Sequence, residues 1–134
     1  MKRLLTDAGP LVALLDADDA SHGRCVEVLK REHAVLVTTW AAITEALYLL
    51  TGSLTAQDTL LDMIEAGDLH ILEVVDLVPR IRALMAKYHD LPMDFADSSL
   101  VAVAEREGLD TVFTLDADFR IYRWSGRRHF RLLP

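Results

Sequence analysis

Short apolar runs bounded by polar or glycine-containing turns alternate along this chain with longer stretches of helical period. Arg3–Thr6, Ala34–Thr38, Leu69–Val75, Thr111–Leu115 and Phe130–Leu133 are too short for helices and lack a 3.6-residue repeat, which predicts five strands. Helices are predicted between them. Pro10 stands in a first helical turn, with Leu11, Leu14 and Leu15 on one face. Ser21 is placed to cap His22–Arg31, whose apolar side is Val26 and Leu29. Trp40–Leu50 carries Ile43, Leu47 and Leu50 at helical spacing, and Thr55 is placed to cap a helix through Glu65 that Gly67 ends. Val78–His89 and Phe95–Glu107 are two more helices, the second closed by Gly108.

Strands alternating with helices predict an α/β fold with a mainly parallel sheet and helices on both faces. The length of 134 residues, with no repeat, low-complexity tract or linker, predicts a single domain over 1–134. Ligands in such sheets bind outside the carboxyl ends of the strands. Asp7 and Asp116 each stand immediately after a predicted strand, so the layout that predicts the fold also points to a site.

Composition narrows the function. The chain is 51% hydrophobic, enough for a core, and its formal net charge is −7. A generic nucleic-acid binder is basic, so a broad electrostatic grip on DNA or RNA is not indicated. The single cysteine, Cys25, excludes an intramolecular disulfide and fits a reducing compartment. The apolar run after Met1-Lys2-Arg3 is broken at Asp7 and Asp16, so neither a signal peptide nor a membrane span is predicted, and the expected location is the cytoplasm. The five histidines show no zinc-ligand spacing. Ser98, Ser99 and Ser125 lack a nucleophile-elbow context, and no phosphate-binding glycine loop is present.

Acids carry the chemical signal. Asp7, Glu45, Asp97, Asp116 and Asp118, with Asp94 just ahead of Asp97, lie in apolar segments that contain no lysine or arginine except Arg3. A carboxylate among buried hydrophobics is costly unless neutralised, and a hard divalent cation neutralises several at once. Each acid also has an ordinary reading. Asp7 can simply cap the first helix, and Asp94 and Asp97 can cap and favour the dipole of another. Glu45 can lie on a solvated helix face, and Asp116-Ala117-Asp118 can be an Asp-rich turn.

Taken together, Asp7 after the first strand, Glu45 on the helix after the second, the segment Met93-Asp94-Phe95-Ala96-Asp97-Ser98-Ser99, and Thr114-Leu115-Asp116-Ala117-Asp118-Phe119 resemble the PIN-domain nucleases, most closely the VapC-type toxins of toxin–antitoxin pairs. The resemblance covers nearly the whole chain. It implies a three-layer α/β/α fold around a five-stranded parallel sheet, and an Mg²⁺- or Mn²⁺-dependent endoribonuclease. Asp7, Glu45, Asp97 and Asp116 match the family's catalytic quartet, with Asp7, Asp97 and Asp116 as metal ligands. Asp94 and Asp118 match further acids found in many members, and Thr6 and Thr114 match hydroxyl positions near the cluster. Ser98 departs from the alanine many members carry there. The implied partners are an RNA substrate, a cognate antitoxin that inserts a segment near the acids, and a second copy of the chain in a homodimer.

A substrate path needs positive charge. The carboxyl-terminal segment offers Arg120, Arg123, Arg127, Arg128 and Arg131, with Tyr122 and Trp124 interleaved for stacking on bases. The alternative is an ordinary basic rim. Two rival functions compete with the nuclease. One is a phosphoaspartyl enzyme with Asp7 as nucleophile, disfavoured because Gly9 stands where that chemistry places its second acid. The other is a PIN-like RNA- or partner-binding module with weak or no turnover.

Overall fold

A computed structural model describes residues 2–134. The chain runs β1 (Arg3–Thr6), α1 (Ala8–Leu15), α2 (His22–Glu32), β2 (Val35–Thr38), α3 (Trp40–Leu49), α4 (Leu54–Glu65) and β3 (Leu69–Ile71). It continues with α5 (Val78–Lys87), α6 (Phe95–Glu107), β4 (Thr111–Phe113), a short hairpin of β5 (Arg123–Trp124) and β6 (Arg128–His129), and β7 (Arg131–Leu133). Strands β3-β2-β1-β4-β7 form one sheet in that order, and every pairing in it is parallel. The five-stranded α/β/α architecture expected from the sequence is present.

Side-chain alternation sorts the strands onto two cores. Leu5, Val37 and Val112 face α5, α6 and the hairpin, where Ile81, Leu84 and Leu100 are buried. Leu4, Leu36, Leu69, Phe113 and Leu133 face the other way, onto Leu11, Val28, Ile43 and Leu60 of α1 to α4. Strands covered on both sides have no polar face, which is why they read as continuous apolar runs.

Topology fixes where a ligand can sit. From β1 the chain moves to one side for β2 and β3, then returns across β1 to β4 and β7. The switch point therefore lies between β1 and β4, where successive loops leave in opposite directions and open a crevice. Asp7 and Asp116 follow these two strands.

Several boundaries differ from expectation, each for a local reason. The third strand stops at Ile71 rather than Val75, because its partner β2 ends at Thr38, opposite Ile71. Residues Val75–Leu77 form a 3-10 turn instead. The strand expected over Thr111–Leu115 ends at Phe113, since the Thr114 amide makes its last sheet bond, to Leu133 O at 2.9 Å. Helix α1 starts at Ala8, with Asp7 as its cap, so Pro10 is the third residue of the helix. Ser53, not Thr55, caps α4 by accepting from the Ala56 amide.

The basic segment also differs from its expected role. Tyr122 is fully buried and Trp124 is 6% exposed, so neither ring is offered to a base. Tyr122 packs edge-on against Phe119 and Tyr88, and Trp124 stacks on Phe130. Glu105 fastens this hairpin to the helices: it takes two bonds from Arg80, at 2.7 and 3.0 Å, and one from the Ser125 amide, at 2.6 Å. Gly126, at φ 91°, makes the turn between the two short strands.

Leu100 of α6 is fully buried in the core beneath the acids. Leu100→Ala is expected to destabilise the protein by about 2–5 kcal/mol, read from urea unfolding. A loss below about 1 kcal/mol would contradict the packing described here.

Candidate active site

Asp7 is the best-fixed acid. Its backbone is extended at φ −83°, ψ 168°, and its amide continues the β1–β4 pairing to Phe113 O at 2.9 Å. Oδ1 accepts from the Ala8 amide at 2.8 Å, capping α1. Oδ2 accepts from the Thr114 hydroxyl at 2.8 Å. That hydroxyl in turn accepts from the Asp116 amide at 3.0 Å, and Asp116 Oδ1 accepts from the Asp118 amide at 2.9 Å. One threonine thus joins the acid after β1 to the acid after β4. Cap and turn roles are real for Asp7 and Asp116, and they position the carboxylates for further use.

Helix α6 presents the second pair. Asp94 caps it, accepting from the Asp97 amide at 2.8 Å. Asp97 lies in the first turn, 8% exposed, and Oδ2 accepts from the Tyr122 hydroxyl at 3.0 Å. Glu45 comes from the middle of α3, half-buried. A buried bond between the Thr39 and Ser99 hydroxyls, 2.8 Å, ties the start of α3 to the start of α6.

These acids act on one another. Asp7 is held above the ordinary carboxylate range mainly by burial, with Asp116 and Asp94 adding repulsion against the bonds from Thr114 and Ala8. Asp97 is raised to about 7 by burial first, then by Asp94 and Asp7, against the Tyr122 bond. Glu45 is raised by burial and by Asp7, Asp94 and Asp116. The Tyr122 hydroxyl is pushed up by burial and by Asp97, Asp118 and Asp116. No lysine or arginine is among the groups that shift Asp7, Glu45 or Asp97. The result is a set of mutually repelling acids without a compensating cation, drawn from the end of β1, α3, α6 and the turn after β4.

Such a donor set, all carboxylate oxygen, suits Mg²⁺ or Mn²⁺ rather than a softer ion. Among the described residues, no group of three or more His, Cys, Asp or Glu side chains is arranged to hold a metal ion as it stands.

Other predicted contacts fare unevenly. Thr114 serves the site by orienting Asp7, whereas the Thr6 hydroxyl bonds the Leu4 carbonyl of its own strand. Arg123 directs Nη1 to the carbonyls of Arg120, Ile121 and Tyr122. Arg128 lies over the Trp124 ring, 4.9 Å from its centroid, and Arg127 is exposed on the hairpin turn. Beside Glu45 and Asp94, a groove of about 760 Å³ is walled by Trp40, Tyr48 and Phe95. Tyr122, Thr39 and Ser99 were not singled out by sequence as supports of the acids. Only the Thr39 cap position before α3 carried a local signal.

A profile of the PIN domain matches residues 4–124. The crystal structure of VapC20 from Mycobacterium tuberculosis, described as a sarcin-ricin loop cleaving toxin, is similar with a TM-score of 0.78 at 20% identity, over 86% of this chain and 91% of that one. No curated protein matches.

The raised Asp97 has a stability consequence. Between the ordinary value of 3.8 and about 7, the folded protein holds a proton that the unfolded chain releases. In EDTA, stability is therefore fully present below that window and lost as pH rises through it. Asp97→Asn is expected to flatten this loss and to stabilise the metal-free protein at pH 8 by roughly 2 kcal/mol, from urea unfolding at pH 5 and pH 8. An equal pH dependence in the variant would remove Asp97 as its source.

Proposed function

The chain belongs to the PIN-domain family, and from that membership we propose that it is an Mg²⁺- or Mn²⁺-dependent endoribonuclease, the VapC-type toxin of a type II toxin–antitoxin pair. The reading is supported by the mutual electrostatic influence of Asp7, Glu45, Asp97 and Asp116, from four separate elements, with Asp7 and Asp116 following the two strands at the switch point of the sheet.

Asp7 and Asp97 would hold the ion, with Asp116 completing the set and Asp94 and Asp118 adding to the negative field. When bound, a divalent ion activates water and neutralises charge developing on phosphate oxygens. The remaining work belongs to side chains. Thr114 holds the Asp7 carboxylate in one orientation, and Tyr122 does the same for Asp97. Glu45, raised by burial and by Asp7, Asp94 and Asp116, would orient the attacking water or take its proton. No protein nucleophile is required.

The partners and setting belong to the same proposal. Tyr48, Leu49, Leu54 and Leu61 are exposed on α3 and α4 and offer apolar surface for a second copy or an antitoxin. Cytoplasmic action agrees with the free, buried Cys25. Among the described residues, no helix is long and apolar enough to cross a membrane.

The competing reading is a PIN-fold binding module with weak or no turnover. Calorimetric titration with Mn²⁺ followed by RNA cleavage separates the two readings. Asp7→Asn and Asp97→Asn are each expected to reduce EDTA-sensitive RNA cleavage by about a hundredfold or more. Wild-type rates in both would end the nuclease proposal. Tyr122→Phe keeps the ring and loses the bond to Asp97, and is expected to weaken Mn²⁺ affinity by about tenfold with the fold intact.

A further inference from the structure

An acidic protein with a net charge of −7 and a carboxylate-lined cleft needs local positive charge to retain an RNA strand. Most arginines are already engaged. Arg3, Arg31, Arg80 and Arg106 pair with carboxylates, Arg123 serves backbone carbonyls, and Arg128 stacks on Trp124. Arg24, Arg82, Arg120, Arg127 and Arg131 remain, and of these Arg24 and Arg120 lie against one pocket. Among the described residues neither forms an ion pair, and the Arg24 guanidinium bonds only the neutral Ser21 hydroxyl, at 3.1 Å.

These two residues come from α2 and from the 3-10 turn at Ala117–Arg120, yet they line one small pocket of about 140 Å³ with Thr114, Asp116, Leu132 and Pro134. Thr114 and Asp116 connect that pocket to the acid cleft, because the Thr114 hydroxyl donates to Asp7 and accepts from the Asp116 amide. Two exposed arginines therefore share a pocket at the carboxyl edge of the sheet that includes the candidate metal ligand Asp116. Planar N–H forks match the paired oxygens of a phosphate. Asp116 Oδ1 accepts from the Asp118 amide, a bond that partly offsets its charge.

We propose that this pocket seats a phosphodiester of the RNA strand next to the one under attack, gripped by Arg24 and Arg120. The identity of the ligand rests on the ribonuclease reading, whereas the anion site rests on the pocket itself. Arg24 lies outside the basic carboxyl-terminal segment and has no motif of its own. Its placement follows from the pocket it shares with Thr114 and Asp116, which follow β4.

The test has two arms, both in EDTA so that no divalent ion contributes. In the first, inorganic phosphate is titrated into ¹⁵N-labelled protein, and the side-chain Nε–H signals of Arg24 and Arg120 are expected to shift and saturate together. Arg24→Gln and Arg120→Gln should each weaken phosphate binding by about tenfold. Both side chains are exposed, so the core is untouched, and Arg82→Gln on the exposed side of α5 should leave binding unchanged. In the second arm, a 2′-O-methyl oligoribonucleotide that cannot be cleaved is followed by fluorescence anisotropy. Each variant should again weaken binding by about tenfold and lower the slope of log affinity against log salt by about 0.7. Silence of both arginine signals overturns the pocket. A phosphate response with RNA affinity equal to that of Arg82→Gln overturns the RNA assignment and leaves a free-phosphate site. If both arms respond and the protein does not cleave RNA with Mn²⁺, the ribonuclease reading fails and the pocket stands.

Discussion

The 2.8 Å hydrogen bond from the Thr114 hydroxyl to Asp7 Oδ2 joins the residue after β1 to the residue after β4, where the chain leaves the sheet in opposite directions. Asp7 is 6% exposed, and a carboxylate that deep is tolerated only with donors on its oxygens. The Ala8 amide and the Thr114 hydroxyl are those donors. Because Thr114 also accepts from the Asp116 amide, the parallel pairing of two strands becomes the fixed spacing of two acids. Helix α6 is then brought in from the other face, with Asp97 tied to Tyr122 and Ser99 tied to Thr39.

This arrangement costs stability. Asp7, Glu45 and Asp97 are all shifted upward, and each is disfavoured in its charged form by the others. A core that only had to be stable would not gather them. The two hydrophobic layers, with Leu5, Val37 and Leu100 on one side and Leu4, Phe113 and Leu60 on the other, hold the sheet rigid enough to carry that strain. A bound divalent cation would offset that repulsion.

Charge of the opposite sign is organised just as locally. The net charge of the chain says nothing about where a phosphate can rest. Most arginines are committed to structure: Arg80 to Glu105 beneath the hairpin, Arg106 to Asp76 and Glu107, Arg128 to the Trp124 ring. The free guanidinium groups of Arg24 and Arg120 therefore count for more than the run of arginines near the chain end suggests.

What the sequence determined by itself is the set of elements and the acids at their ends. Five short apolar runs between helical stretches specify a parallel sheet, because strands buried on both faces cannot alternate in polarity. The acids stood out for the same reason, as charges inside apolar segments with no nearby cation. Tertiary structure alone decided which side chains serve those acids. Tyr122 lies 25 residues from Asp97 and Thr114 lies 107 from Asp7, so no local pattern could link them. It also decided that Tyr122 and Trp124 belong to the core, and that Arg24 rather than Arg123 is free beside the cleft. Hydrophobic period and capping are short-range effects written in neighbouring residues, whereas a hydrogen bond or a free charge depends on what packing brings within reach.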